Sequence, residues 1–126
     1  MSFVYYNANP VQNRTNDCAV RAIAVAENKS WLEVFDGICT SGRSLFAMPS
    51  TNEAWGEYLR KCGYIKRAIP NLCPNCYTVR DFCREHPRGK YVVGVEKHVV
   101  AIIDGDWYDT WDSGDEVPIF YWKKGA

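Results

Sequence analysis

The sequence predicts an α+β domain in which helices come first and an antiparallel sheet follows. Segments with helix-start signals occupy most of the chain up to His86, whereas from Lys90 the chain turns to short runs rich in Val, Ile, Tyr and Trp. That order of helices and then strands is typical of α+β proteins. The 126 residues and an apolar fraction of 47% predict a single domain, residues 1–126, with one packed core.

The first elements are a short strand near residues 3–6 and a helix over about 17–27. A polar stretch separates the two. Asn16 or Asp17 stands where a side chain caps the free amides at a helix start. Alanine and isoleucine residues along this helix predict an apolar face that packs on the rest of the domain.

Three further helices open on capping boxes or similar signals. Ser30–Glu33 and Ser50–Glu53 each place a glutamate three residues after a capping hydroxyl. We expect these two helices to end near Gly42 and Gly63, because glycine readily adopts the left-handed conformation that follows a helix. A shorter helix begins near Thr78 and must end at His86-Pro87, and residues 64–77 are expected to form a loop.

The strands that follow are predicted from runs of β-forming residues. Asp104-Gly105 is a typical two-residue hairpin turn. The predicted strands lie near 90–96, 98–103, 106–112 and 118–122.

Composition and charge exclude several classes of protein. Fifteen basic residues balance fifteen acidic ones, which is not the basic surplus of a phosphate-backbone binder. No apolar run is long enough to span a membrane, and no signal peptide is visible. We therefore expect a cytoplasmic protein that binds neither nucleic acid nor membrane.

The six cysteines are expected to be reduced thiols, because disulfides are unusual in a reducing compartment. An alternative function is open for four residues with the spacing Cys-x2-Cys-x6-Cys-x2-His, which supplies zinc-type ligands. They are Cys73, Cys76, Cys83 and His86.

Cys18 and His98 are the candidate reactive pair. Cys18 lies at the start of the first predicted helix, where free amides and the helix dipole stabilise a thiolate. His98 begins a predicted strand, and an imidazole beside a thiolate forms the ion pair of an activated nucleophile. Gln12, six residues before Cys18, is placed to donate to an oxyanion together with the Cys18 amide.

Two aspartates compete to orient the histidine. A two-residue turn at Asp104-Gly105 places Asp109 on the same face of the sheet as His98, diagonally across the hairpin. A three-residue turn would instead place Asp112 opposite His98. We favour Asp109.

This arrangement resembles the papain-like cysteine peptidases. Gln12 and Cys18 match the family's Gln-x5-Cys at a helix start, His98 follows on a strand, and Asp109-Thr110-Trp111 looks like its Asn-Ser-Trp. The smaller peptidases that process bacteriocin leaders, which use Asp as the orienting residue, are similar as well. The sequence departs from papain at Asn16-Asp17-Cys18-Ala19 and in the short interval between Cys18 and His98.

The resemblance implies a compact papain-like fold and a cysteine hydrolase that cleaves a peptide or isopeptide bond. Cys18 would be the nucleophile, His98 the general base and then acid, Asp109 the orienting residue and Gln12 the oxyanion donor. The substrate would be a protein or peptide, and no metal or cofactor is required. Two alternatives remain: a deamidase or acyltransferase that uses the same triad, and a catalytically silent papain-like binding module with a structural zinc.

Overall fold

The computed structural model describes residues 1–70 and 76–125 and shows a mixed α+β architecture of four helices and a six-stranded sheet. The helices are α1 (Cys18–Glu27), α2 (Trp31–Leu45), α3 (Asn52–Lys61) and α4 (Val79–Glu85). The strands are β1 (Phe3–Tyr5), β2 (Tyr64–Ala68), β3 (Lys90–Val95), β4 (His98–Ile103), β5 (Asp106–Asp109) and β6 (Pro118–Lys124).

The sheet has the order β1-β5-β4-β3-β6-β2 and is antiparallel except for one pair. β1 lies parallel to β5, which corrects the expectation of a purely antiparallel sheet. β2 pairs with β6 at one edge, within the segment that was expected to be a loop. Four of the five residues of β2 are exposed, so the apolar alternation that reveals a strand is missing from its sequence.

The hairpin between β4 and β5 has the predicted two-residue turn. Asp104 and Gly105 both have positive φ angles, +49° and +82°, as this tight turn requires. Ile103 consequently pairs with Asp106, and Ala101 pairs with Tyr108. The predicted register is confirmed, although β5 ends at Asp109 and not near residue 112.

Two of the helix boundaries differ from the prediction. The capping box of α2 forms as expected at Ser30 and Glu33, but the helix runs past Gly42 to Leu45, and Phe46 after it takes the left-handed conformation. A Cβ atom on Gly42 would lie 2.5 Å from the carbonyl oxygen of Ala47, so this glycine is needed for close packing. At α3 the capping residue is Thr51 and not Ser50.

The sheet carries a core on each face. Helices α1, α2 and α3 pack on one face, where Ile23, Val34, Trp55 and Leu59 are buried. Helix α4 covers part of the other face with Val79, Phe82 and Cys83. Helix α1 packs against β4, and the first residues of both elements line the same cleft. None of the helices described is long and apolar enough to cross a membrane.

Candidate active site

Three of the four predicted site residues come together where α1 meets the sheet. Cys18 is the first residue of α1, His98 the first of β4 and Asp109 the last of β5. His98 Nε2 lies 2.6 Å from Asp109 Oδ2. Cys18 and His98 line the same cleft, and the thiol is near enough to raise the pKa of the imidazole. The order is therefore thiol, imidazole and carboxylate, as in a catalytic triad.

Asp109 contacts only one of the two ring nitrogens of His98. Because Asp109 binds Nε2, Nδ1 is the ring nitrogen that remains for an interaction with the Cys18 thiol. Burial has the largest influence on the pKa of His98 and by itself lowers it. The hydrogen bonds and charges of Asp109 and Cys18 outweigh burial and raise this pKa from 6.5 to about 9. The site thus favours an imidazolium at neutral pH, which stabilises a thiolate beside it.

The Asp109 carboxylate is held from several sides. Its Oδ1 accepts a hydrogen bond of 2.7 Å from the Thr110 amide, and its Oδ2 accepts one of 2.7 Å from the Ser113 hydroxyl in addition to the His98 contact. The Asp109 side chain is only 3% exposed. The ring of Trp111 lies against His98 with centroids 4.9 Å apart. This ring therefore covers part of the imidazole.

The structure favours Asp109 over Asp112 as the orienting residue. Asp112 Oδ1 accepts hydrogen bonds from Trp107 Nε1 at 2.9 Å and from the Gly114 amide at 3.0 Å. Trp107 belongs to the core on the α4 face of the sheet. The choice made from hairpin register therefore agrees with the observed contact of His98.

The start of α1 is organised differently from the prediction. Asp17 occupies the capping position, but its side chain caps no amide of the helix. The carboxylate is 4% exposed and instead accepts hydrogen bonds from Asn9 Nδ2, Trp31 Nε1 and Arg21 Nη1. These three donors explain why the cap is absent. The first amides of α1 stay available to an anion at the Cys18 position.

A cleft of about 1010 Å³ opens beside Cys18 and His98. One wall is apolar and includes Trp31 and Phe35 of α2, whose rings stack 5.0 Å apart. Phe120 of β6 also lines the cleft. A Cβ atom on Gly94 would lie 2.3 Å from this ring, so glycine is required where Phe120 rests on the sheet. Trp31 both lines the cleft and donates a hydrogen bond to Asp17.

Gln12 is the predicted site residue that the structure does not bring to this cleft. It lies in a turn with φ +51°, and its amide donates to the carbonyl oxygen of Asn9. The Gln12 side chain is exposed. It is absent from the described residues that line the cleft, whereas Asn9 and Asn13 are among them.

The alternative zinc site gains no support from the described residues. Cys73 lies outside them. Cys76 is disulfide-bonded, so the expectation of six reduced thiols is wrong there, and a sulfur in a disulfide is no thiolate ligand. Cys83 is fully buried in the core, and His86 Nδ1 lies 2.8 Å from the carbonyl oxygen of Phe82. Within residues 1–70 and 76–125 no group of three or more His, Cys, Asp or Glu side chains is arranged to hold a metal ion.

Sequence reasoning missed the polar residues that support the triad. Asn9, Asp17 and Ser113 are each no more than 5% exposed, and all three bind one another or a triad residue. Buried polar side chains require partners. Their burial is the property that distinguishes them. Burial cannot be read from the sequence, because Asn and Asp are common in loops that have no functional role.

Comparisons with family models, curated proteins and solved structures gave no match to this chain. The geometry of the site is therefore the evidence for its function.

Proposed function

We propose that this protein is a cysteine hydrolase of papain-like type that cleaves a peptide or isopeptide bond. The observation that carries the proposal is the arrangement of Cys18, His98 and Asp109 at the side of one cleft, where Asp109 binds the imidazole and the Cys18 thiol is near enough to raise its pKa. A buried cysteine without a function needs neither a paired imidazole nor a carboxylate behind that imidazole. The three residue types in this order are those that activate a thiol for attack on a carbonyl.

In this mechanism the thiolate of Cys18 attacks the carbonyl carbon of the bound substrate. The tetrahedral intermediate collapses as the carbon–nitrogen bond breaks, and His98 donates its proton to the departing amine. The product on the enzyme is a thioester. Water then attacks this thioester while His98 accepts its proton, which releases a carboxylic acid and restores the thiol. None of these steps requires a metal or an organic cofactor.

Asp109 keeps His98 in the orientation and charge state that both steps need. Because it binds Nε2, it leaves Nδ1 directed at the thiol and the leaving group. Its negative charge also stabilises the imidazolium before the amine departs. Trp111 excludes water from this contact, which strengthens the electrostatic interaction.

The cleft supports a peptide or protein as the substrate. Apolar rings and asparagine side chains both line the cleft, so an extended chain would find both apolar contacts and hydrogen-bonding groups. We propose that a large apolar side chain near the cleaved bond lies against Trp31 and Phe35.

The test is a peptide-library digest followed by mass spectrometry of the products. We expect the wild-type protein to release peptides with new carboxyl ends and the Cys18→Ser variant to release none. A matched control, Cys39→Ser, changes a free cysteine of α2 and should leave the digest unchanged. Equal product patterns from wild type and Cys18→Ser would overturn the proposal.

The masses of the products separate this reaction from its alternatives. Hydrolysis splits a peptide with the addition of one water, whereas deamidation raises a glutamine-containing peptide by about 1 Da without a break in the chain. With an added amine, acyl transfer gives an amide in place of the acid. These outcomes all pass through the same acyl-enzyme at Cys18.

A further inference from the structure

The proposed hydrolase must stabilise negative charge on the carbonyl oxygen as the thiolate attacks. The uncapped start of α1 supplies the backbone N–H of Cys18 on one side. A second donor has to be a side chain that faces the same cleft. Gln12 does not line the cleft, but its neighbour Asn13 does.

Asn9 fixes the orientation of the Asn13 amide. Asn9 Oδ1 accepts a hydrogen bond of 3.0 Å from the Val11 amide, which points its NH₂ group the other way. One hydrogen of that NH₂ goes to Asp17 Oδ2 at 3.1 Å, and the other goes to Asn13 Oδ1 at 2.8 Å. The Asp17 carboxylate and the Val11 amide together fix which end of the Asn9 amide is oxygen and which is nitrogen. Because Asn9 therefore donates to Asn13, the Asn13 atom that accepts must be its oxygen.

The side-chain nitrogen of Asn13, Nδ2, therefore does not take part in the contact with Asn9. It makes no hydrogen bond to any other described residue, although its carbonyl oxygen is anchored. The anchor is close to the nucleophile, since Asn9 also binds Asp17, the residue immediately before Cys18. Asn13 lines the cleft beside Cys18, and a side-chain NH₂ group whose amide oxygen is anchored is the type of donor that an oxyanion requires.

We propose that Asn13 Nδ2 is the side-chain donor of the oxyanion hole and that Asn9 is its positioning residue. This inference rests on the proposed hydrolase function and replaces the role predicted for Gln12. As the Cys18 sulfur bonds to the carbonyl carbon, the π electrons move to oxygen. Asn13 N–H and Cys18 N–H then donate to that oxygen until the leaving group departs with its electron pair and the carbonyl forms again.

Two reagents separate this role from the reactivity of the thiol itself. Acylation by p-nitrophenyl acetate passes through a tetrahedral oxyanion and releases p-nitrophenolate as the thioester forms. Alkylation by iodoacetamide displaces iodide from a methylene carbon and develops no oxyanion. The ratio of the two rates at Cys18 therefore reports the oxyanion hole, whereas the alkylation rate alone reports the thiolate.

The decisive variant is Asn13→Asp, which keeps the oxygen that Asn9 binds and replaces the NH₂ group by oxygen. We expect its acylation rate to fall by about tenfold or more while its alkylation rate changes little. Asn13→Ala should show the same loss, and Gln12→Ala should show little. Asn13 is exposed, so these variants should fold.

The outcomes distinguish this inference from the function on which it rests. If Asn13→Asp keeps the wild-type ratio, or if the loss occurs in Gln12→Ala instead, the Asn13 assignment is overturned and the hydrolase proposal stands. If wild-type Cys18 shows neither rapid alkylation nor acylation, both fail. For the positioning role, Asn9→Ala should lower the ratio less than Asn13→Asp does, and an unchanged ratio would contradict it.

Discussion

A cysteine and a histidine on one face of the sheet can be compared with a cysteine and a histidine on the other, because their surroundings are opposite. On the α1 face, Cys18 and His98 meet at a cleft, and Asp109 lies behind the imidazole. On the α4 face, Cys83 is fully buried and burial raises the pKa of its thiol to about 12. His86 follows it at the end of α4.

The histidines differ in the same way as the cysteines. The ring of His86 stacks on Phe82 with centroids 3.9 Å apart, and its Nδ1 contacts a backbone carbonyl. No carboxylate contacts it among the described residues. His98 is bound to a buried carboxylate and shares its cleft with a thiol. The two pairs therefore differ in their surroundings and not in residue type, and we expect the helix start and the charged partner to make Cys18 and His98 the reactive pair.

The largest expected effects are those of Cys18→Ser on turnover and of Cys83→Ser on stability. The first should lower turnover by about 10⁴-fold or more, because the hydroxyl is a poor nucleophile in this setting, and leave the melting temperature nearly unchanged. The second should retain turnover but lose about 1–3 kcal/mol of stability, because it buries an unpaired hydroxyl in the core. Activity assays and thermal unfolding of both variants would show whether the two faces really divide chemistry from packing.

The next effect concerns the two aspartates near the hairpin. Asp109→Asn removes the negative charge beside His98 and should lower the pKa of that imidazole. Asp112→Asn is the matched control, because Asp112 binds Trp107 and Gly114 and does not contact His98. An NMR titration of the His98 ring in the two variants measures the pKa of the imidazole. A pKa shift caused by Asp112→Asn alone would show that Asp112, and not Asp109, orients His98.

Stability should depend on pH through His98. Its folded-state pKa is raised from 6.5 to about 9, so between these values the folded state binds more protons than the unfolded state. The stabilisation by the His98–Asp109 pair is complete below about pH 6.5 and is lost as the pH rises through about 9. The melting-temperature difference between wild type and Asp109→Asn should therefore shrink over this window. A difference that grows with pH would reverse the sign and contradict the pairing.

The smallest expected effect is that of Trp111→Ala. The Trp111 side chain is 45% exposed, so its removal should cost little stability. Water would then reach the His98–Asp109 contact and weaken it, and turnover should fall several-fold. Ile119→Ala, at a similarly exposed apolar residue of β6, serves as the control. Equal losses in both variants would show that Trp111 gives no specific shielding.

Much of this site could be predicted because local signals fixed it. The Asp104-Gly105 turn allows one register, and that register places Asp109 beside His98. The sequence pattern also located Cys18 at the start of α1. These features depend on a few consecutive residues, and local turn and helix preferences determine them.

The remaining parts depend on contacts between distant residues. Asp17 leaves the helix cap because Asn9, Arg21 and Trp31 all donate to it, and Trp31 lies on another helix. The exposed edge strand β2 owes its conformation to pairing with β6. Tertiary partners override local preference in both cases.

The most direct test of the account is residue-resolved alkylation by iodoacetamide at about pH 6. An ordinary thiol is only roughly 0.3% ionised at that pH, so rapid labelling identifies a stabilised thiolate. We predict that Cys18 is labelled far faster than Cys39, Cys62 and Cys83, and that His98→Ala removes this advantage. Slow labelling of Cys18, or rapid labelling that persists in His98→Ala, would contradict the thiolate–imidazolium pair at the centre of the proposed function.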